Sequence, residues 1–279
     1  MRSFINKTIA TALLLVFGCF GILTFSACTY IGKKLPDETT LNLEDYDLVL
    51  YDEFDKDTLD LSTWEYRHSG PLPLRDGFNH PNQVSVSNGN LVITGEYLNG
   101  EYGEGWYSGA ICPIERYTYG YFEIKCIPND SPFFWSAFWL QSNNSYSHDL
   151  SQGGVNGAEI DIFESYKTNL FGLKNAIFST VYCNGTNRNP DKIDKERVTK
   201  VYVPSLRTDY NTFGLMWTEE EYIFYVNGAE TGRSSFGKGT STQAEEIIVS
   251  LEIPKKVLLK KDVTTQFTVD YVKIYQLRK

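Results

Sequence analysis

Three acids interrupt a stretch that otherwise reads as a buried β-strand: Ala158-Glu159-Ile160-Asp161-Ile162-Phe163-Glu164-Ser165. Strand side chains alternate faces, so Glu159 and Asp161 share one face and Ile160 and Ile162 the other. Strict alternation sends Glu164 to the apolar side. One extra residue, a β-bulge at Ile162-Phe163, returns it to the other two acids. Like charges on one strand face repel and Asp is a poor strand former, so the pattern points to use in chemistry. With that bulge the Cα atoms of Glu159 and Glu164 stand four strand steps, roughly 13 Å, apart. Inward-leaning side chains then bring the carboxyl groups to about 5–6 Å, the spacing at which one carboxylate attacks a sugar acetal and the other protonates the departing oxygen. Clustered like charges spread the pKa values that such a division of labour requires. Asp161, between them, is placed to share a proton or to orient the attacking group. A solvated acidic face and a calcium site are the competing readings. With only His68, His80 and His148, and no Cys/His ligand spacing, a histidine triad or zinc site has little support.

The elements that must position these acids are short strands separated by turn signals, with no long helical period. Val84 to Val86 and Leu91 to Thr94 flank Asn88-Gly89-Asn90. Tyr121 to Cys126 alternates, with Phe122, Ile124 and Cys126 inward. Tyr222 to Val226 runs into Asn227-Gly228, a type I′ hairpin dipeptide. Ile247 to Ile253 and Phe267 to Tyr275 read as further strands. Together they predict an all-β, two-sheet antiparallel sandwich or jelly roll. In Phe133 to Gln141, strand geometry places Trp135, Ala137, Trp139 and Gln141 on one face and Phe134, Ser136, Phe138 and Leu140 on the other. Two indoles beside an acid cluster form a platform for the C–H faces of sugar rings, with core packing as the alternative. Trp64 and Trp106 are weaker candidates for the same role.

The N-terminus carries Arg2 and Lys7, an apolar run from Ala10 to Phe25, and the small-residue ending Ser26-Ala27-Cys28. Residues 1–27 read as a secretory signal of lipoprotein type, with Cys28 as the lipidated residue. An uncleaved membrane anchor is the rival. Either way the remainder lies outside the membrane, on the cell surface or secreted. Residues 28–43 read as a polar tether, and 44–279 as one β domain, taken as a monomer. Formal charge is −9, or −11 without Arg2 and Lys7. That balance argues against nucleic acid and polyanions such as sulfated galactans as partners, and does not oppose a neutral polysaccharide. Cys112, Cys126 and Cys183 are an odd number, so they read as small buried hydrophobes, with one Cys112–Cys126 bridge as the alternative.

In this order, several segments resemble glycoside hydrolase family 16, the laminarinase-like branch, from about Leu48 to Gln276. They are Tyr51-Asp52-Glu53-Phe54 with Trp64, Asn82-Gln83-Val84 with Asn88 to Ile93, Tyr119 to Glu123, and Trp135 to Leu140. The bulged Glu159-Ile160-Asp161-Ile162-Phe163-Glu164 and the closing Val269 to Tyr275 complete the set. The resemblance implies a concanavalin A-like jelly roll with an open polysaccharide cleft. It implies Glu159 as nucleophile, Asp161 as its helper and Glu164 as acid/base. It places Asn82 and one of Trp135 or Trp139 beside the scissile bond. It needs no cofactor for catalysis, and implies a structural calcium at Asp270, Glu53 and the Gly89 carbonyl; a buried Asp bonded to backbone is the alternative there.

Two departures fall where substrate is selected. Family members commonly carry a histidine after the signature, whereas Ser179 to Gly185 has none and Tyr182 stands in its place. The glycine-rich laminarinase stretch is replaced by Ser250-Leu251-Glu252-Ile253-Pro254-Lys255. The expected activity is a retaining endo-glycosidase on a neutral β-linked polysaccharide, a β-1,3- or mixed-linkage glucan. An endo-β-galactosidase, a transglycosylase and a non-catalytic glycan-binding protein on the same fold are the alternatives.

Overall fold

The computed structural model describes residues 33–142, 154–166, 174–183, 194–236 and 239–279. Two β-sheets carry nearly all of it. The eight-stranded sheet runs Lys33–Lys34, Asp194–Tyr202, Ala176–Cys183, Ala158–Tyr166, Trp135–Gln141, Glu246–Glu252, Ala110–Pro113, Trp64–Tyr66. The eleven-stranded sheet centres on Gly120–Ile127 beside the long Thr265–Leu277 strand. This is the predicted all-β sandwich, with one correction. Pairing is antiparallel except at two margins, where Lys33–Lys34 runs parallel to Val201–Tyr202 and Gly77–Asn79 parallel to Trp106–Ser108.

Period-two patterning sets what lies between the sheets. Phe122, Ile124 and Cys126 point inward with no exposed surface, as do Phe138 and Leu140 on the facing sheet. Burying each such side chain contributes about 1.5–3 kcal/mol. Phe163 meets Phe213 of the opposite sheet with ring centroids 4.3 Å apart and Phe267 at 6.2 Å. Asn227 and Gly228 have φ of 50° and 76°, the two left-handed residues that a type I′ turn requires. Trp64 and Trp106 belong to this core at 0% and 5% exposure, which removes them as sugar platforms. Cys112 and Cys126 are buried free thiols on different sheets, so they form no bridge.

The segment expected to be a tether is instead docked from Lys33 onward. Leu35 packs on the main core, and Leu41 and Leu43 join Tyr121, Met216 and Tyr225 on the outer side of the larger sheet. Thr40 N–H donates to the Gly228 carbonyl at 2.9 Å, and its Oγ1 accepts from Glu230 N–H at 2.9 Å. Three leucines among polar residues were enough to anchor it. The leader and Cys28 lie outside the described residues. Among the described residues no helix is long and apolar enough to cross a membrane.

Candidate active site

The bulge is where the sequence placed it. Against the Trp135–Gln141 strand, Phe138 pairs with Phe163 but Trp139 pairs with Asp161, so Ile162 is the inserted residue. Against Ala176–Cys183, Asp161 pairs with Thr180 and Glu164 with Phe178, two residues opposite one. Ile162 and Phe163 both turn inward, at 2% and 0% exposure. The carbonyl of Ile162 is satisfied by the Ser179 hydroxyl at 2.8 Å. Glu164 thereby returns to the face of Glu159 and Asp161. All three line one cleft of about 430 Å³, with Trp135, Trp139, Gln141, Tyr166, Tyr182 and Glu252 among the walls.

Each acid has its own surroundings. Glu164 Oε1 accepts from Trp135 Nε1 at 3.0 Å and from the Tyr166 hydroxyl at 2.8 Å. Burial raises Glu164, and these donors, with a further hydrogen bond from Asp161, pull it back. Glu159 accepts from Gln141 Nε2 at 2.8 Å. Burial first and the Glu164 charge second push it up to about 7, which Gln141 partly opposes. Asp161 is 4% exposed. Burial, then the charges of Glu164 and Glu159, hold it well above the usual carboxylate range, and its hydrogen bond to Glu164 adds to the rise. All three carboxyl groups are thus raised above their ordinary values, with burial as the largest cause in each and hydrogen-bond donors opposing it at Glu159 and Glu164.

The other expected residues divide. Trp139 is half-buried in the cleft wall, its Nε1 on Ser250 Oγ at 3.0 Å. Tyr182 pairs across the strands with Glu159 and lines the cleft. Trp135 is in the cleft too, but 6% exposed, stacked on Tyr166 at 4.9 Å and covered by the Arg75 guanidinium at 5.0 Å. With so little surface open it is a holder of Glu164 rather than a sugar platform. Asn82 sits exposed in the Pro81–Gln83 turn, its N–H on His80 Nδ1, and is not among the cleft-lining residues. The calcium set is not assembled for a metal. The Asp270 carboxylate is paired with the Lys125 ammonium at 2.7 Å, Glu53 accepts from the Tyr51 hydroxyl, and Gly89 occupies an exposed turn at φ 70°. A carboxylate already neutralised by an ammonium group is a poor ligand for a second cation, so these residues do not fit calcium as placed.

Sequence reasoning overlooked Tyr166, Arg67, Arg75 and the use of Gln141. Tyr166 lies two residues beyond Glu164 and so shares its face, a signal that was there to read. Arg67 and Arg75 come from an irregular segment between short strands, where no periodicity points a side chain anywhere.

Carboxyl groups with separate environments lining one β-sandwich cleft are an arrangement chemically able to cleave glycosidic bonds by acid–base catalysis. Residues 48–277 match the family model described as beta-porphyranase A-D, GH16 domain, and the chain belongs to glycoside hydrolase family 16. It is 28% identical over 209 residues to an endo-1,3-1,4-beta-glycanase of Rhizobium meliloti (strain 1021), covering 70% of this chain and 40% of that protein. It is 23% identical over 270 residues to a keratan-sulfate endo-1,4-beta-galactosidase of Sphingobacterium multivorum, covering 88% and 59%. The chain thus spans well under two thirds of the length of these two relatives. The laminarinase catalytic domain of Thermotoga maritima MSB8 superposes with a TM-score of 0.65 at 21% identity, covering 84% of this chain and 99% of that one.

Proposed function

We propose that this chain is a retaining endo-glycosidase that cuts internal β-linkages of a neutral polysaccharide, a β-1,3- or mixed-linkage glucan. The observation that carries the reading is the bulge that turns Glu164 to the same cleft as Glu159 and Asp161. Glu159 attacks the anomeric carbon while Glu164 passes its proton to the departing glycosidic oxygen. A glycosyl-enzyme forms, and Glu164 then takes a proton from water as that water displaces Glu159. Trp135, Tyr166 and Asp161 all hydrogen-bond to Glu164. For attack, Glu164 carries a proton and Asp161 donates its own to Glu159. Asp161 keeps its proton throughout and donates to whichever neighbour is charged.

A neutral substrate agrees with the cleft as well as with the net charge. Its two arginines are each matched by an acid, Arg67 by Glu246 at 3.1 Å and Arg75 by Glu252 at 3.9 Å. The second reading is an endo-β-galactosidase, supported by the beta-porphyranase description of the family model and by the galactosidase relative. The proposal includes an extracytoplasmic location through a lipid on Cys28 and a monomeric enzyme without a catalytic cofactor. Product analysis on a panel of β-glucans and β-galactans separates the readings: internal cleavage of a glucan supports the first, and cleavage of galactans alone replaces it with the second. Glu159→Gln is expected to fold normally and to lose turnover on whichever glycan is cut. Full activity in that variant refutes the mechanism.

A further inference from the structure

Gln141 bridges two groups of opposite demand. Its Oε1 accepts from Arg67 Nη2 at 2.9 Å, and its Nε2 donates to Glu159 Oε2 at 2.8 Å. Arg67 is itself fixed. Its Nε is on Glu246 Oε2 at 3.1 Å, its guanidinium covers the Trp139 ring at 4.8 Å, and its N–H donates to the Ala110 carbonyl at 2.8 Å. Glu246 is held in turn by Arg116 at 3.3 Å. A side-chain amide has a donor end and an acceptor end of nearly equal shape, so packing alone does not choose which end meets Glu159. A guanidinium has only donors and accepts nothing. Placed against one end of the amide, it forces the oxygen toward itself and the NH₂ toward the carboxylate.

Resting on the reading of Glu159 as nucleophile, we propose that Arg67 is a positioning residue for catalysis: by locking the Gln141 amide, it keeps a hydrogen-bond donor on Glu159 and so keeps that carboxylate ionised for attack. The Gln141 amide serves both partners at once. Glutamate would pair with Arg67 and repel Glu159, and leucine would serve neither. The remaining groups around Glu159 work the other way. Glu164 and Asp161 on its own strand, Glu252 and Glu245 from the strand beyond Trp135–Gln141 and its approach, and the Tyr182 hydroxyl supply no positive charge. On the Arg67 side, His68 and Arg116 are the other basic groups and Glu246 and Glu65 the acids. Lys195 and Arg197 lie farther out, beside Tyr182, and the field of Arg67 itself favours ionised Glu159; the relay adds the hydrogen bond through which that cation acts on the carboxylate by contact.

The test is the pH dependence of kcat/KM for Gln141→Leu, Arg67→Met and the double variant, with thermal unfolding to confirm that each folds. Gln141→Leu removes the donor, and its acidic limb is expected to move up by about one pH unit. Arg67→Met frees the amide to turn its oxygen toward Glu159, and is expected to move the same limb by a similar amount. The double variant is expected to shift no further than Gln141→Leu alone, because both changes act through one hydrogen bond. Additive shifts would make Arg67 a bare through-space charge and overturn the relay. An acidic limb unmoved by Arg67→Met would overturn it as well. If both variants move the alkaline limb instead, the relay stands and the assignment of Glu159 as nucleophile falls. Lower kcat with an unchanged profile would reduce Arg67 to a structural support and refute the proposal.

Discussion

Tyr166→Phe is the most informative single change at the other end of the acid cluster. It deletes one oxygen, the hydroxyl that donates to Glu164 at 2.8 Å, and leaves the ring on Trp135. A hydrogen bond to a charged acceptor is worth about 1.5–3 kcal/mol, and a pKa unit is about 1.4 kcal/mol, so full loss would move Glu164 by about one to two units. Tyr166 is partly exposed, and water recovers some of the contact, which brings the expected shift to about one unit. The sign follows from which form the hydroxyl favours. It stabilises ionised Glu164, so removing it raises the Glu164 pKa. An acid/base catalyst must enter the reaction protonated, so activity persists to higher pH. The alkaline limb of kcat/KM therefore moves up by about one unit, while the acidic limb, set by Glu159, stays in place. The assay is a pH series of initial rates on the preferred glycan at subsaturating concentration. An upward shift of the acidic limb would mean that Glu164 must be ionised, and the two glutamates would exchange roles. An unchanged profile would mean that Tyr166 does not hold Glu164 in the working enzyme.

Two further outcomes follow from groups away from the reacting bond. Glu245 is fully buried, its Oε1 accepting from Ser241 Oγ at 2.6 Å and Ala158 N–H at 3.4 Å, and its Oε2 without a partner among the described residues. Burial pushes it up to about 8, so its contribution to stability is full below the ordinary value near 4.5 and is lost as pH climbs through about 8. Glu245→Gln keeps the acceptor and cannot ionise. It is expected to hold its Tm between pH 7 and 9 while the wild type falls, a gap of about 2–5 kcal/mol at the alkaline end; parallel Tm curves would refute this. Cys28→Ser is expected to abolish incorporation of labelled fatty acid and release the protein from the membrane fraction. Retention of both label and membrane association would rule out lipidation at Cys28.

How much of this was legible in the sequence depends on where the information lives. Alternation carries it for regular strands. Phe122, Ile124 and Cys126 were assigned inward, and Trp135, Trp139 and Gln141 to one open face, because a period of two leaves no other choice. The bulge was readable because Glu164 in the core would have cost more than an extra residue on the strand. What the pattern could not carry was partnership. That Arg75 and Tyr166 pack on the Trp135 ring, and that Lys125 neutralises Asp270, depend on residues distant in the chain. Nor did a largely polar stretch reveal that Leu35, Leu41 and Leu43 are enough to dock residues 33–43.

That docking limits where the enzyme can work. If the chain is held in a bilayer through Cys28, the lipid lies five positions before Lys33, which pairs with Val201 in the eight-stranded sheet. The five Cα steps from Cys28 to Lys33 reach at most about 18 Å, whatever conformation they take. Such a leash is shorter than the body it holds, so the catalytic domain would sit against the headgroups and hardly swing. Its substrates would be glycan fragments that diffuse to the lipid surface, and an insert of flexible residues before Lys33 would widen the zone it can forage.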